Sequence, residues 1–345
     1  MPSLPADAKL LVISVARIGD TVLTTPVMRA LKAACPAGRL SVMAHPSRRE
    51  ALEHLPFIDE LGALDKSRVR WKGRWSRPAH DVAVVFGRDA PLLDYALRVA
   101  HRVCAYDEPA FRGLSAARAG RLSLVSVEEG HHAVRDRLRL IEPLGIDAAD
   151  PRLAYRVTSE EAARARAMLA RRWPRPGGPL VGLQMSSFPT KSHRDWPVAS
   201  FGDLAERIAD GHPDVRFVVL GDAYARASAA PFIERHAARA LLAAGETRLR
   251  EAAALIAALD LYVGVDTGPT HIAGALGVPM VALYHCLYPG RLLAPLDHPH
   301  CRVIEHPLTG SADCAASGME KITVEVVHRA ADELLRTQAP RSARA

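Results

Sequence analysis

Residues 259–283, LDLYVGVDTGPTHIAGALGVPMVAL, constrain the fold more than any other stretch of the chain. Leu261 to Val265 is a short apolar run of the kind that forms a buried strand. It stops at Asp266-Thr267-Gly268-Pro269, and a helix is expected from about Thr270 to Leu276. Gly277-Val278-Pro279 then turns the chain into a second apolar run, Met280 to Tyr284. Strand, polar loop, helix, turn and strand make a βαβ unit, which places the chain in the α/β class. The polar residues gather where the first strand ends and the helix begins, the edge at which such sheets hold ligands. Free backbone N–H groups there, with the Thr267 and Thr270 hydroxyls and His271, suit a phosphate or pyrophosphate.

The same rhythm runs along both halves. Leu10 to Val15 reads as a first buried strand, and Ala16-Arg17-Ile18-Gly19-Asp20 as the loop after it. Thr21 to Ala34 has helical spacing, with Pro26 expected to make its first turn irregular or to mark its start. Gly19 allows a substrate close to the backbone, and Asp20 suits either a helix cap or a catalytic base. Leu40 to Ala44, Asp81 to Phe86 and His101 to Tyr106 are further strands, with helices near Arg48 to Leu55 and Leu92 to Ala100. Glu128 to Leu144 carries His131 and His132, which suggest an acceptor contact or a metal; neighbours on a helix need not point the same way. After the helix expected over Glu160 to Trp173, the run PRPGGP at 174–179 marks a connection. Strands are then expected at Leu180 to Gln184 and Val215 to Leu220, and helices at Val198 to Ala209, Arg248 to Leu259 (with Thr247 as cap) and Ile322 to Leu335. A length of 345 residues is comfortable for two domains.

The loop from Gln184 to Pro197, QMSSFPTKSHRDWP, adds chemistry to the second half. Ser186, Ser187 and Thr190 can donate to phosphate oxygens, and Lys191 and Arg194 can neutralise them. The GxxxxGK[ST] pattern is absent, which argues against an ATPase. A net charge of +7 favours acidic ligands or an anionic surface, but no zinc-finger spacing or RNA-binding signature points to nucleic acid. Lys66 to Arg77, KSRVRWKGRWSR, holds six basic residues, two tryptophans and no acid. It reads as a solvated loop or as a basic aromatic surface for a phosphorylated acceptor or anionic lipid headgroups. No run of eighteen apolar residues and no signal-peptide pattern is present. Five cysteines, at 35, 104, 286, 301 and 314, form no metal-type pair and no obvious disulfide framework, so a reducing cytoplasm is expected. The last three are near enough in sequence to meet in space.

Four segments in this order, IGDTVLTTPVMRALKAACP, PTKSHRDWP, VGVDTGPTHIAGALGVPMVALY and MEKITVEVVHRAADELL, resemble glycosyltransferase family nine. This is the family of ADP-heptose:lipopolysaccharide heptosyltransferases. The resemblance runs over nearly the whole chain, and the pairing of an early GD loop with a late DTGxxH segment is its most specific part.

The resemblance implies a GT-B fold, two Rossmann-like domains facing across a cleft. The expected division is 1–160 for the acceptor domain, 161–178 for a linker and 179–321 for the nucleotide-sugar domain. The remaining 322–345 would form a helix crossing back to the first domain, and a tail. It further implies an inverting, metal-independent transfer of heptose from ADP-L-glycero-D-manno-heptose to a lipid-linked inner-core acceptor, with no cofactor. The setting would be the cytoplasmic face of the inner membrane; separately, the Lys66 to Arg77 stretch and the net positive charge would support peripheral contact with anionic lipid. Asp20 matches the family's general base. Lys191 and Arg194 both remain phosphate contacts, since the basic-x-Trp-Pro pattern falls on Arg194. Asp266, Thr267, Gly268, Thr270 and His271 match the nucleotide-sugar motif, with Asp266 as sugar-hydroxyl acceptor or loop-ordering residue. His271 would bind phosphate or hold the loop. Related heptosyltransferases often carry a glutamate after the central strand of the second domain; this chain offers Asp222 and Tyr224, to contact ribose or cap the next segment. That departure keeps open another sugar nucleotide, or a nucleotide-sugar-binding protein without activity.

Overall fold

A computed structural model describes residues 4–67, 69, 78–111, 116–175 and 177–337. Of the basic stretch from Lys66 to Arg77, residues 68 and 70–77 lie outside the described residues, as does the terminal RSARA. The chain divides into two compact units, Met1–Arg156 and Val157–Ala345.

The first unit runs β1 (Lys9–Ser14), α1 (Ile18–Val22), α2 (Thr25–Ala34), β2 (Arg39–Ala44), β3 (Glu60–Ala63), β4 (His80–Val85), α3 (Ala90–Val99), β5 (Ala100–Tyr106), α4 (Ala116–Ala119), β6 (Leu122–Val125) and α5 (Ala133–Arg139). Its six strands form one parallel sheet in the order β3-β2-β1-β4-β5-β6. Side chains alternate across the sheet, so β1 feeds Leu10 and Val12 to one core and Leu11 and Ile13 to another. The expected break before Pro26 is present. The chain leaves helix at Leu23-Thr24, and Pro26 sits in the first turn of α2, where its missing N–H costs no hydrogen bond.

The second unit runs α6 (Ser159–Arg172), β7 (Leu180–Gln184), α7 (Val198–Gly211), β8 (Arg216–Leu220), α8 (Ala223–Ser228), α9 (Ala230–Arg235), β9 (Ala240–Leu242), α10 (Leu249–Ala257), β10 (Leu261–Val265), α11 (Gly268–Ala275), β11 (Met280–Tyr284), α12 (Gly290–Leu293), β12 (Cys301–Glu305) and α13 (Val324–Thr337). Its sheet is also parallel, in the order β12-β11-β10-β7-β8-β9. Counted from the first strand of each unit, both sheets read 3-2-1-4-5-6, the doubly wound order in which the chain switches direction beside the first strand. The switch points lie between β1 and β4 and between β7 and β10.

One expected cap is replaced, and two helices named in the expected division have their packing within the second unit defined. The segment 161–178, expected as linker, begins with most of α6, which packs on α10 in the second unit through the buried pair Glu161–Arg250. The helix expected to cross back to the first domain is α13, whose Val327, Ala330, Ala331 and Leu334 join the core of the second unit. Thr247 does not cap α10; its hydroxyl donates to the Ala243 carbonyl, and the Glu251 carboxylate accepts from the Arg248 N–H instead. Among the described residues no helix is long and apolar enough to cross a membrane.

Candidate active site

In the first unit, the chain leaves β1 at the switch point and enters the short helix α1. Its threonines are structural: the hydroxyls of Thr21, Thr24 and Thr25 donate to the carbonyls of Arg17, Thr21 and Val22. Asp20 behaves differently. It lies inside the first turn, and the cap position belongs to Arg17. Its Oδ1 accepts instead from Arg137 Nη2 of α5 at 2.8 Å, while Arg137 Nη1 donates to the Ala133 carbonyl. The Asp20 side chain is 47% exposed and that of Arg137 16%, so a rigid cation holds a carboxylate that solvent still reaches.

Asp20 and Arg137 line a cavity of about 610 Å³ together with Arg17, Arg48, Lys66 and Arg88. Lys66 pairs with Asp89 at 2.6 Å and Arg88 with Glu108 at 3.1 Å, whereas Arg48 donates to the Ala16 carbonyl. With Asp65 and Asp89 also in the lining, the cations still outnumber the acids, and an anionic molecule fits that balance of charge. His131 and His132 are engaged elsewhere. His131 pairs with Glu128, and His132 caps α5 by accepting from the Val134 N–H.

In the second unit the loop after β7 and the turn after β10 flank the other switch point. A 3-10 helix, Pro189–Arg194, carries Lys191 and Arg194, and buried Trp196 anchors it by donating to the Ile322 carbonyl. Arg194 Nη1 lies 2.6 Å from Asp266 Oδ2, and its guanidinium stacks 3.6 Å from the centroid of the Tyr288 ring. Lys191 Nζ donates to Tyr288 Oη at 3.2 Å. Tyr288 thus gathers both cations. The Lys191 ammonium, then the Arg194 guanidinium, draw its phenol below the usual tyrosine value. Nearby His193 is also lowered, first by burial and then by its electrostatic interaction with the neighbouring His285, Arg194 and Lys191.

The remaining polar groups divide into inward and outward. The Ser187 hydroxyl donates to the Lys191 carbonyl, and its N–H donates to Asp195, whose carboxyl is pushed up by burial. Ser186 is bonded to Ser228, and Thr270 donates to the Val265 carbonyl and meets the Tyr262 hydroxyl. That last contact needs Gly264, where a Cβ would sit 2.7 Å from Tyr262 Oη. These side chains shape the loops. Asp222 caps α8 by accepting from the N–H groups of Tyr224 and Ala225. Thr190 is exposed, and Thr267, at the N-cap of α11, makes no capping bond. His271 Nε2 stands 3.6 Å from Asp266 Oδ1, leaving its buried Nδ1 without a partner among the described residues. Thr190, Lys191, Arg194, Thr267 and Gly268 therefore form the part of the expected set open to an anion, at the start of a helix whose dipole favours one.

Residues 97–306 match the family model described as glycosyltransferase family 9 (heptosyltransferase). The chain belongs to that family. It is a glycosyltransferase, and its two doubly wound units have the GT-B fold. Lipopolysaccharide heptosyltransferase 2 of Salmonella typhimurium is 27% identical over 307 residues, covering 84% of this chain and 86% of the relative. The solved family 9 glycosyltransferase of Veillonella parvula is 21% identical with a TM-score of 0.82, over 97% of this chain and 99% of that one. The E. coli ADP-heptose LPS heptosyltransferase II structure is 23% identical with a TM-score of 0.74, over 95% and 99%.

In this family member the sequence does not reveal two contacts made by the candidate residues, Arg137 on Asp20 and Tyr288 under Lys191 and Arg194. Only the position of Tyr288, four residues past a buried strand at the ligand edge, gave a signal. The cysteine expectation is corrected. Cys286 and Cys314 form a disulfide, with Cα atoms 5.8 Å apart, where no disulfide framework was expected. Neighbouring His285 completes a trio whose donor atoms could hold a metal. Its Nδ1 accepts from the Leu287 N–H and its Nε2 reaches the Ser317 carbonyl, so with the sulfurs joined these donors are already engaged.

Proposed function

We propose that the protein transfers heptose from ADP-L-glycero-D-manno-heptose to a lipid-linked lipopolysaccharide inner-core acceptor, at the cytoplasmic face of the inner membrane. The acceptor sits in the first unit's cavity, and the diphosphate at the strand ends of the second unit. The observation that carries the reading is the half-exposed Asp20 carboxylate, held by Arg137 at the mouth of β1 and lining the cavity. Asp20 takes the proton of the acceptor hydroxyl as its oxygen attacks the anomeric carbon. The bond from that carbon to the β-phosphate oxygen breaks, ADP leaves with the electron pair, and configuration inverts in one displacement. Lys191, Arg194 and the start of α11 meet the developing negative charge, which is the role a metal ion would otherwise fill. The names of the relatives, lipopolysaccharide heptosyltransferase 2 and ADP-heptose LPS heptosyltransferase II, support this donor and acceptor.

Asp20→Asn tests the base. It should leave ADP binding and melting temperature unchanged and lower kcat by about 10²- to 10⁴-fold. Near-wild-type turnover would remove Asp20 from the role. Turnover should persist in a chelator. A panel of sugar nucleotides tests the donor: efficient transfer from another sugar nucleotide, with none from ADP-heptose, would replace the donor while leaving the chemistry in place. Asp222 keeps that competing donor in view, since its carboxylate is engaged as a helix cap at the place where related heptosyltransferases often carry a glutamate.

A further inference from the structure

The second unit carries another basic pocket, at the opposite edge of its sheet. It opens where α6 ends and β7, β8 and β9 begin, roughly one strand length, ~16 Å, from the donor edge. Its volume is about 530 Å³. Arg172, Arg175, Arg216 and Arg239 line it against a single acid, Asp214, so four guanidinium groups face one carboxylate.

None of these arginines has a carboxylate partner among the described residues. Arg172 donates to the Ala240 and Ala237 carbonyls, Arg216 to that of Gly178 and Arg239 to that of Pro213; Arg175 is exposed. Backbone carbonyls fix the side chains without cancelling their charge, and each guanidinium keeps N–H groups to offer. Trp173 sets the spacing, with the Arg172 and Arg216 guanidinium carbons 5.3 and 5.6 Å from its ring centroid. Two donors here lack any partner among the described residues, Trp173 Nε1 and Arg216 Nε.

We propose that this pocket binds a phosphoryl group, at a site separate from the donor site. Four guanidinium groups against one carboxylate leave three positive charges uncompensated, which matches a multiply charged oxyanion. The fork of arginine N–H groups suits phosphate oxygens. Phosphate chemistry reaches the pocket either as a free anion or as a lipid headgroup, and two measurements separate the sources.

The full chain, with 15N-labelled indoles, is titrated with inorganic phosphate while the Trp173 Nε1–H resonance, assigned through Trp173→Phe, is followed. Sedimentation with phosphatidylglycerol vesicles forms the second arm, with phosphatidylcholine as control. Arg175→Ala, which removes no recorded hydrogen bond, and Arg175→Ala/Arg239→Ala should weaken binding by about tenfold or more in whichever arm responds. Unchanged resonances of the other tryptophans verify folding. A saturable phosphate shift assigns the site to a soluble anion. Vesicle binding lost in the variants assigns it to a headgroup. No response in either arm, an equal shift with chloride at matched ionic strength, or binding indifferent to both variants overturns the proposal. Because Asp20, Lys191 and Arg194 are untouched, this outcome is independent of the transfer reaction.

Discussion

Arg137 and Tyr288 show how single residues set the chemistry of their neighbours. Asp20 would be a solvated surface acid without Arg137, which approaches from 117 residues away and fixes one carboxylate oxygen. Arg137→Met keeps the stem and removes the fork. Asp20 then samples several rotamers, and kcat should fall by about 10- to 10²-fold, because small misplacements of a catalytic group carry penalties of that order. KM for the donor should hold. Equal losses in kcat/KM for Asp20→Asn, Arg137→Met and the double variant would show the two acting as one unit. The sequence exposed Asp20, Asp266 and Lys191, because each follows a strand in a polar segment at the ligand edge. Arg137 was hidden for the opposite reason, and Tyr288 showed only its place at the ligand edge, since their contacts join residues 117 and 97 positions apart.

Among the elements, legibility follows burial. The strands read correctly from the sequence are the central ones, β1, β2, β4 and β5 in the first sheet and β7, β8, β10 and β11 in the second, whose apolar runs are buried on both faces. The four that were not read, β3, β6, β9 and β12, are the four sheet edges. They are three to five residues long and only partly buried, so they lack the apolar run that signals a strand. The helix α6 was read, but not its attachment. Glu161 both closes the capping box with Thr158 and pairs with Arg250 of α10, with side chains 9% and 10% exposed. The Arg250 hydrogen bond, opposed by burial, draws the Glu161 carboxyl from 4.5 down to about 2. The unfolded chain therefore takes up the proton first. The pair's contribution is complete above pH 4.5 and is lost as pH falls through about 2. Glu161→Gln should cost about 3 kcal/mol at pH 7, measured by denaturant unfolding. The gap between variant and wild type should close on acidification from pH 4.5 to 2. A gap that stays constant would mean the pair does not anchor α6.

For the whole molecule, the decisive fact is that one topology occurs twice, each time with its own core. The described apolar clusters each lie within a single unit: those around Val12 and Ile13 in the first, and that around Val263 and Phe217 in the second. The buried Glu161–Arg250 pair and the Cys286–Cys314 disulfide also close within one unit. Units of 156 and 189 residues are large enough to bury a core alone. The fragment 157–345, which begins just before the capping Thr158, should therefore fold and unfold cooperatively. It should bind ADP within about threefold of the full chain, a difference of ~0.7 kcal/mol, because Lys191, Arg194, Tyr288 and the turn after β10 are all within it. The fragment 1–156 should fold and show no ADP binding, and neither fragment should transfer sugar, since the proposed base and the proposed leaving-group cations lie on different pieces. Calorimetry of each fragment with ADP titration checks the assignment. A folded fragment 157–345 that fails to bind ADP would move the nucleotide contacts into the first unit and take the Lys191–Arg194–Tyr288 cluster out of the donor site.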